Sequence, residues 1–250
     1  MAHKTPDKDI DFILENKQLK KEIEERSQFL RAISHDLATP LTSLQLALQQ
    51  IRGEENRELI YKSQKALEAI TSMIKEIKDY EAVKSGKKIL IQQPLTWGQV
   101  FEELDFTCND LAKEKNIIIN YPTNLNSELF HSDQTILVYK ILSNLLSNAI
   151  KFSYHHTQIH IRLKLSGNFY FLTFEDTGIG IPKEILQHIF SFYKKTNRLG
   201  TEGEKGTGFG LPIVKSYLEL LGGTISIETR EESQFPKNHG SSITISVPKT

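Results

Sequence analysis

Apolar residues recur every three or four positions along Leu19, Ile23, Leu30, Ile33, Leu37, Leu41, Leu44, Leu48 and Ile51. They do so again along Leu59/Ile60, Ala66/Leu67, Ile70, Met73/Ile74, Ile77 and Tyr80. That period places each set on one face of a helix. Only the turn GEEN, residues 53–56, lies between them, with Gly53 suited to a C-terminal cap and Asn56 to an N-cap. Two amphipathic helices joined so closely form an antiparallel hairpin, and a hairpin by itself lacks the depth to hide both stripes. Pairing two copies into a four-helix bundle hides them, so a homodimer is expected; the alternative is a hairpin packed on the rest of its own chain.

The first helix carries SHDLATPL. If Leu30 and Leu37 take heptad position a and Ile33 takes d, His35 falls at f, farthest from the seam, and its imidazole faces solvent. Pro40 lacks an N–H and its ring meets the carbonyl of Asp36, so a kink is expected at the histidine. Thr39, four residues on, shares the face of His35, whereas Asp36 does not on an ideal helix. Residues 10–28 extend the pattern upstream with Asn16 and Arg26 as interruptions, which reads as the tail of a coiled coil (1–28) entering from an upstream sensor.

The totals narrow the classes. With 31 basic and 31 acidic side chains the formal charge is zero, so neither a nucleic-acid footprint nor a polybasic membrane surface is expected. No apolar run approaches the ~20 residues of a membrane span. The single cysteine, Cys108, fits a reducing cytosol, and there is no CxxC pair or HExxH for zinc. A cytoplasmic location follows as the expectation, either alone or as the soluble portion of a larger membrane-associated sensor.

KSGKK, residues 84–88, separates the hairpin (29–84) from a region of different character (89–250). Ile89–Gln92 reads as a strand, Thr96 as the cap of a helix to about Lys115, and Ile117–Tyr121 and Leu129–His131 as strands. Asp133 opens a helix through Ile150. Gln158–Leu165 and Phe169–Glu175 alternate about a Gly-Asn turn, a hairpin signal. A helix after Pro182, another over Phe209–Leu221, and strands at Thr224–Thr229 and Ser242–Val247 complete an α+β fold: antiparallel strands with helices on one face, an α/β sandwich.

Three stretches of that region have the residue types that phosphate and metal chemistry needs. In NLLSNAIKF, residues 144–152, Asn144, Asn148 and Lys151 share one helical face. An amide oxygen can join Mg²⁺ without displacing phosphate oxygens, and a lysine one turn on can meet those phosphates. In DTGIGIP, residues 176–182, an acceptor at a strand end adjoins glycines that admit a flat ligand. In GTGFGL, residues 206–211, alternate glycines ahead of a helix let successive N–H groups converge on an anion. Each alone also fits a polar helix face or a surface turn. The polar stretch Lys194–Lys205 reads as a lid, in which Lys194, Lys195 and Arg198 either meet the γ-phosphate or form a solvated charged loop.

Taken together and in this order, these segments resemble the transmitter core of sensor histidine kinases of two-component systems. SHDLATPL resembles the phosphoacceptor box, NLLSNAIKFS the N box, DTGIGIP the G1 box, IFSFY the F box and GTGFGL the G2 box. The resemblance implies a dimerisation and phosphotransfer hairpin followed by an ATP-binding domain of the gyrase/Hsp90 type. It implies that His35 is phosphorylated from ATP, that Asp36 orients or deprotonates it, and that Thr39 helps dephosphorylate a partner. Asn148 would coordinate Mg²⁺, with Asn144 lining the site and Lys151 near phosphate. Asp176 would accept from the adenine amino group beside Gly178 and Gly180, and Gly206, Gly208 and Gly210 would flank the triphosphate. The phosphoryl group would pass to an aspartate of a response-regulator receiver domain. Ser191, Tyr193 and Phe209 depart from the family pattern without removing a ligand. Rival readings are a non-phosphorylating ATPase of the same fold, which has no need of SHDLATPL, and a scaffold or phosphatase-dominant transmitter.

Overall fold

The computed structural model describes residues 57–249 except 124, 126, 127, 193–195 and 205, together with 17, 19, 20, 23, 24, 27, 30, 33, 34, 37–46 and 48. The chain divides into two compact units, Met1–Met73 with Phe192–Lys195 and Ile74–Ser191 with Thr196–Thr250. His35, Asp36, the turn 53–56, Tyr193, Lys194 and Lys195 lie outside the described residues, as does most of the expected coiled coil.

In the first unit the described residues before position 49 are helical, including 37–46 through Pro40. The second hairpin helix, α1 (Arg57–Lys84), runs on into the second unit. Its apolar stripe holds with the predicted period. Ala66 is buried, and Ile70 and Met73 are half-buried, while Ile60 and Leu67 on the flank are exposed.

The second unit is a mixed α/β sandwich. Strands β1 (Gln93–Leu95) and β3 (Phe130–Ser132) pair antiparallel as a small ribbon. The main sheet has the order β2-β4-β5-β7-β6, built from Ile118–Asn120, Gln158–Ser166, Phe169–Asp176, Gly240–Pro248 and Thr224–Arg230. Alternation sets its faces. Ile159, Ile161, Tyr170, Leu172, Phe174, Ile245 and Val247 are buried, while the other side carries pairs such as Thr173 with Thr244 and Arg162 with Glu175.

Helix α2 (Trp97–Glu114), a π-helix (Thr135–Leu142) continuing into α3 (Ser143–Phe152), and α5 (Gly210–Leu220) supply the other half of the core. A single turn, α4 (Lys183–Leu186), follows Pro182. Trp97 stacks on Phe130 at 4.5 Å, with Tyr170 edge-on at 5.2 Å. Such rings contribute beyond their burial.

Several expectations need correction. Residues 89–92 form no strand: Asp133 Oδ2 accepts from the Ile91 N–H at 3.0 Å, so a side chain takes the donor that a ladder would use. The ladder begins only at Gln93. Beside the expected antiparallel strands, β2 pairs parallel with β4. The helix expected after Pro182 stops within one turn. By contrast Thr96 caps α2 reciprocally with Gln99, and Asp133 Oδ1 accepts from the Ile136 N–H, opening its helix as its position suggests. Among the described residues no helix is long and apolar enough to cross a membrane.

Candidate nucleotide site

The N-box side chains are delivered by a change of helical pitch. The Ser143 N–H donates to Val138 O, five residues back, so the wide turns of 135–142 give way to α3 just where Asn144 begins. Asn144 Nδ2 donates to Lys140 O at 2.8 Å, which commits its amide donor and leaves Oδ1 directed elsewhere. A Cβ placed on Gly210 would lie 3.2 Å from Asn144 Oδ1 and 3.9 Å from Asn148 Nδ2. One placed on Gly206 would lie 2.5 Å from Lys151 Nζ. Asn144, Asn148 and Lys151 therefore stand against the two ends of GTGFG. Gly210 opens α5, whose N-cap residue Phe209 offers no side-chain cap to the first turn, and the leading N–H groups and dipole lie beside the Asn144 and Asn148 amides. Gly208, at φ +81°, packs against Asn197 and accepts at its carbonyl from Thr196 Oγ1. Thr207 donates to Glu76 Oε2 at 2.6 Å, from the last third of α1.

The G1 residues gather at the end of β5. Asp176 Oδ1 accepts from Gly178 N at 2.9 Å and Ser241 N at 3.1 Å. Burial pushes its carboxyl up to about 6; these two N–H groups, Arg198 and His239 pull the other way. The glycines here answer to the protein's own backbone. A Cβ on Gly178 would sit 2.2 Å from Phe152 O, and one on Gly180, at φ +64°, 2.0 Å from Arg230 O. The loop thus lies on the end of α3, and Ile179 N donates to Phe152 O.

Arg198, read from the sequence as either meeting the γ-phosphate or lying in a solvated charged loop, sits among the G1 residues. Its guanidinium lies 4.6 Å above the Phe152 ring and donates to the Gly180 carbonyl, beside Asp176. Burial lowers its pKa, against the opposing pull of Asp176 and Glu231. Lys151 is likewise lowered by burial, with Glu204 raising it and Arg198 and Lys115 lowering it further.

Three contributors escape a motif reading. His239 Nδ1 donates to Gly178 O at 2.6 Å, Thr229 Oγ1 accepts from Ile181 N at 2.8 Å, and Lys115 is buried beneath the end of α3. No local signal marks them: Lys115 stands at the C-cap of α2 and meets the end of α3 across the fold, while Thr229 on β6 and His239 just before β7 meet the G1 loop from far along the chain. Thr39 is exposed on its helix in the first unit.

A Mg²⁺–nucleotide fits this donor set. Among the described residues no group of three His, Cys, Asp or Glu side chains is placed to hold a metal by itself. Beside Gly210 stand two neutral amides, Asn144 by its Oδ1 and Asn148 by its Nδ2, in keeping with a site where phosphate and water complete an octahedral shell.

A sheet backed by helices, with a polar helix face set against a glycine loop, defines a nucleotide-binding domain. Residues 133–250 match the histidine kinase-, DNA gyrase B- and HSP90-like ATPase model, and residues 25–86 match the His Kinase A (phospho-acceptor) domain. The chain belongs to the sensor histidine kinases and comprises their transmitter core. It is 29% identical over 239 residues to hybrid signal transduction histidine kinase A of Dictyostelium discoideum, covering 87% of this chain and 11% of that protein. It is 29% identical over 233 residues to the circadian input-output histidine kinase CikA of Synechococcus elongatus, covering 90% and 30%. The chain thus spans well under half the length of these relatives. Among solved structures, Acinetobacter baumannii histidine kinase AdeS superposes with a TM-score of 0.67 at 21% identity, over 86% of this chain and 98% of that one. Histidine kinase ThkA in complex with response regulator protein TrrA superposes at 0.70 and 19% identity, over 100% and 68%.

Proposed function

We propose that this chain binds ATP with Mg²⁺, transfers the γ-phosphoryl group to His35, and passes it to an aspartate on a receiver domain. The observation that carries the reading is the convergence of Asn144, Asn148 and Lys151 on the glycine loop at the mouth of α5. Asn148, with Asn144 beside it, would hold Mg²⁺, which supplies charge neutralisation at the phosphates when bound. Lys151 and the α5 N-terminus would cradle the β- and γ-phosphates, and Asp176 would accept from the adenine amino group. A neutral imidazole nitrogen of His35 attacks phosphorus as the bond to the ADP oxygen breaks, and ADP leaves. Asp36 holds the other ring nitrogen as N–H and stabilises the charge formed on the ring. Thr39 would serve the reverse duty, hydrolysis of the partner's phosphoaspartate. The partner in ThkA's complex, a response regulator protein, is of the class expected here. We further infer a homodimer in the cytoplasm, driven by a sensor domain or subunit joined upstream.

The test is incubation with γ-labelled ATP and Mg²⁺, followed by acid and base treatment of the labelled protein. Acid-labile, base-stable label that disappears in His35→Ala, with ATP binding retained, supports the reading. Label persisting at another residue overturns it. Asn148→Ala should slow transfer by ~10²-fold or more, the usual cost of removing one preorganised electrostatic group.

A further inference from the structure

Lys115 ends the run AKEK at the C-terminus of α2, where a lysine ordinarily extends into solvent. Here it is only 4% exposed. Its ammonium donates to Ile150 O at 3.2 Å, Lys151 O at 3.0 Å and Ser153 O at 3.4 Å, the carbonyls left open where α3 ends. It also donates to Thr201 Oγ1 at 2.8 Å and pairs with Glu204 at 2.5 Å. A buried cation is tolerated only when its partners are all in place. One ammonium therefore ties two segments about fifty residues apart: the end of the N-box helix and the strand of chain that leads into the phosphate loop.

The second segment is held in one register by its own bonds. Thr201 N donates to Lys151 O at 3.1 Å, Thr201 Oγ1 donates to Ser153 O at 2.7 Å, and Gly200 N donates to Glu204 O at 2.9 Å. Glu202 N donates to Glu204 Oε2 at 2.8 Å, so the carboxylate that pairs with Lys115 also closes the turn. This turn then shapes Lys151. A Cβ on Gly200 would come within 2.7 Å of Lys151 Cγ, so the Lys151 stem runs directly along the turn, and its Nζ emerges at Gly206.

We propose that Lys115 is a positioning residue for nucleotide binding: by clamping Thr201 and Glu204 to the end of α3, it fixes the wall along which Lys151 reaches the phosphate loop. The inference rests on the ATP-binding reading above and adds to it a residue that touches no nucleotide. Losing the clamp should weaken the hold on the phosphates while leaving His35 and its approach unaltered, so the effect falls on KM for ATP and spares kcat.

Two variants of the full chain test this. Lys115→Met removes the ammonium. Thr201→Val combined with Glu204→Gln removes the side-chain ties of the turn to Lys115 and Ser153, keeps its backbone bond to Lys151 O and leaves Lys115 on the carbonyls of α3, and so keeps the test available if the first variant does not fold. Autophosphorylation should show KM for ATP raised about 10-fold with kcat within about 2-fold in each folded variant. Amide exchange of residues 200–204 should quicken in parallel. A folded double variant with wild-type KM overturns the proposal, as does a fall in kcat at unchanged KM. If the wild-type chain itself binds no fluorescent ATP analogue, the ATP-binding reading fails and this one with it. If wild type binds and the variants bind equally well, only the role of Lys115 fails.

Discussion

Asp176 shows how a single residue can be held against its own preference. Its carboxyl is pushed from an ordinary 3.8 to about 6, chiefly by burial. The folded protein therefore retains a proton between those values that the unfolded chain has released. The stability contributed by that protonated form is complete below about 3.8 and is lost as pH rises through about 6. Near pH 8 the charged carboxylate costs on the order of 2–3 kcal/mol, a burden a structural residue would not be expected to carry. Asp176→Asn keeps an oxygen for the N–H groups of Gly178 and Ser241. Chemical denaturation at pH 8 should find that variant more stable than wild type by about 1–3 kcal/mol, with the gain shrinking towards pH 5. Nucleotide titration should find its affinity at least about 10-fold lower, because an amide cannot accept with the strength of a carboxylate. A wild-type affinity that falls below pH 6 would follow from the same protonation.

At the scale of elements, what the sequence made legible were those features whose signal is local. The period-two runs of β4 and β5, the Gly-Asn turn between them, the Thr96 cap and the Asp133 cap all read directly from neighbouring residues. The π-helical pitch of 135–142 did not, because its apolar residues are buried nearly all round and its period leaves no clean stripe. Nor did the withheld strand at 89–92, decided by a carboxylate forty-two residues away. The same limit hid a contact made by the end of α1. Glu76 and Asp79 lie one turn apart, and within the second unit they meet Thr207 and Lys140. Glu76 thereby places a carboxylate on the loop proposed to receive a triphosphate. Glu76→Gln should raise ATP affinity about 3-fold, and the difference from wild type should narrow at 1 M salt, where the Debye length is about 3 Å. Titration with a fluorescent nucleotide at low and high salt reads both effects.

The whole molecule presents a surface that a single copy leaves uncovered. Leu30, Leu41 and Leu48 are 64%, 50% and 56% exposed, and Ile60 and Leu67 on the second helix are 48% and 56% exposed. Fully burying one such side chain is worth roughly 1.5–3 kcal/mol, so the proposed second hairpin would stabilise these residues far more than water does. The symmetric solution is a two-fold pair in which each stripe meets its own image. Leu67 is the position to test, because it lies on the exposed flank of α1 and outside the nucleotide unit. Leu67→Glu would bring two like-charged carboxylates into that seam, one from each copy. Sedimentation should show wild type as a dimer of about twice 28.6 kDa and the variant shifted towards the monomer at micromolar concentration. Because the nucleotide site draws its described residues from the second unit alone, the variant should bind ATP as wild type does. A variant that stays dimeric would move the seam elsewhere on the hairpin. A wild-type monomer that still labels His35 would show that the stripes serve some other contact.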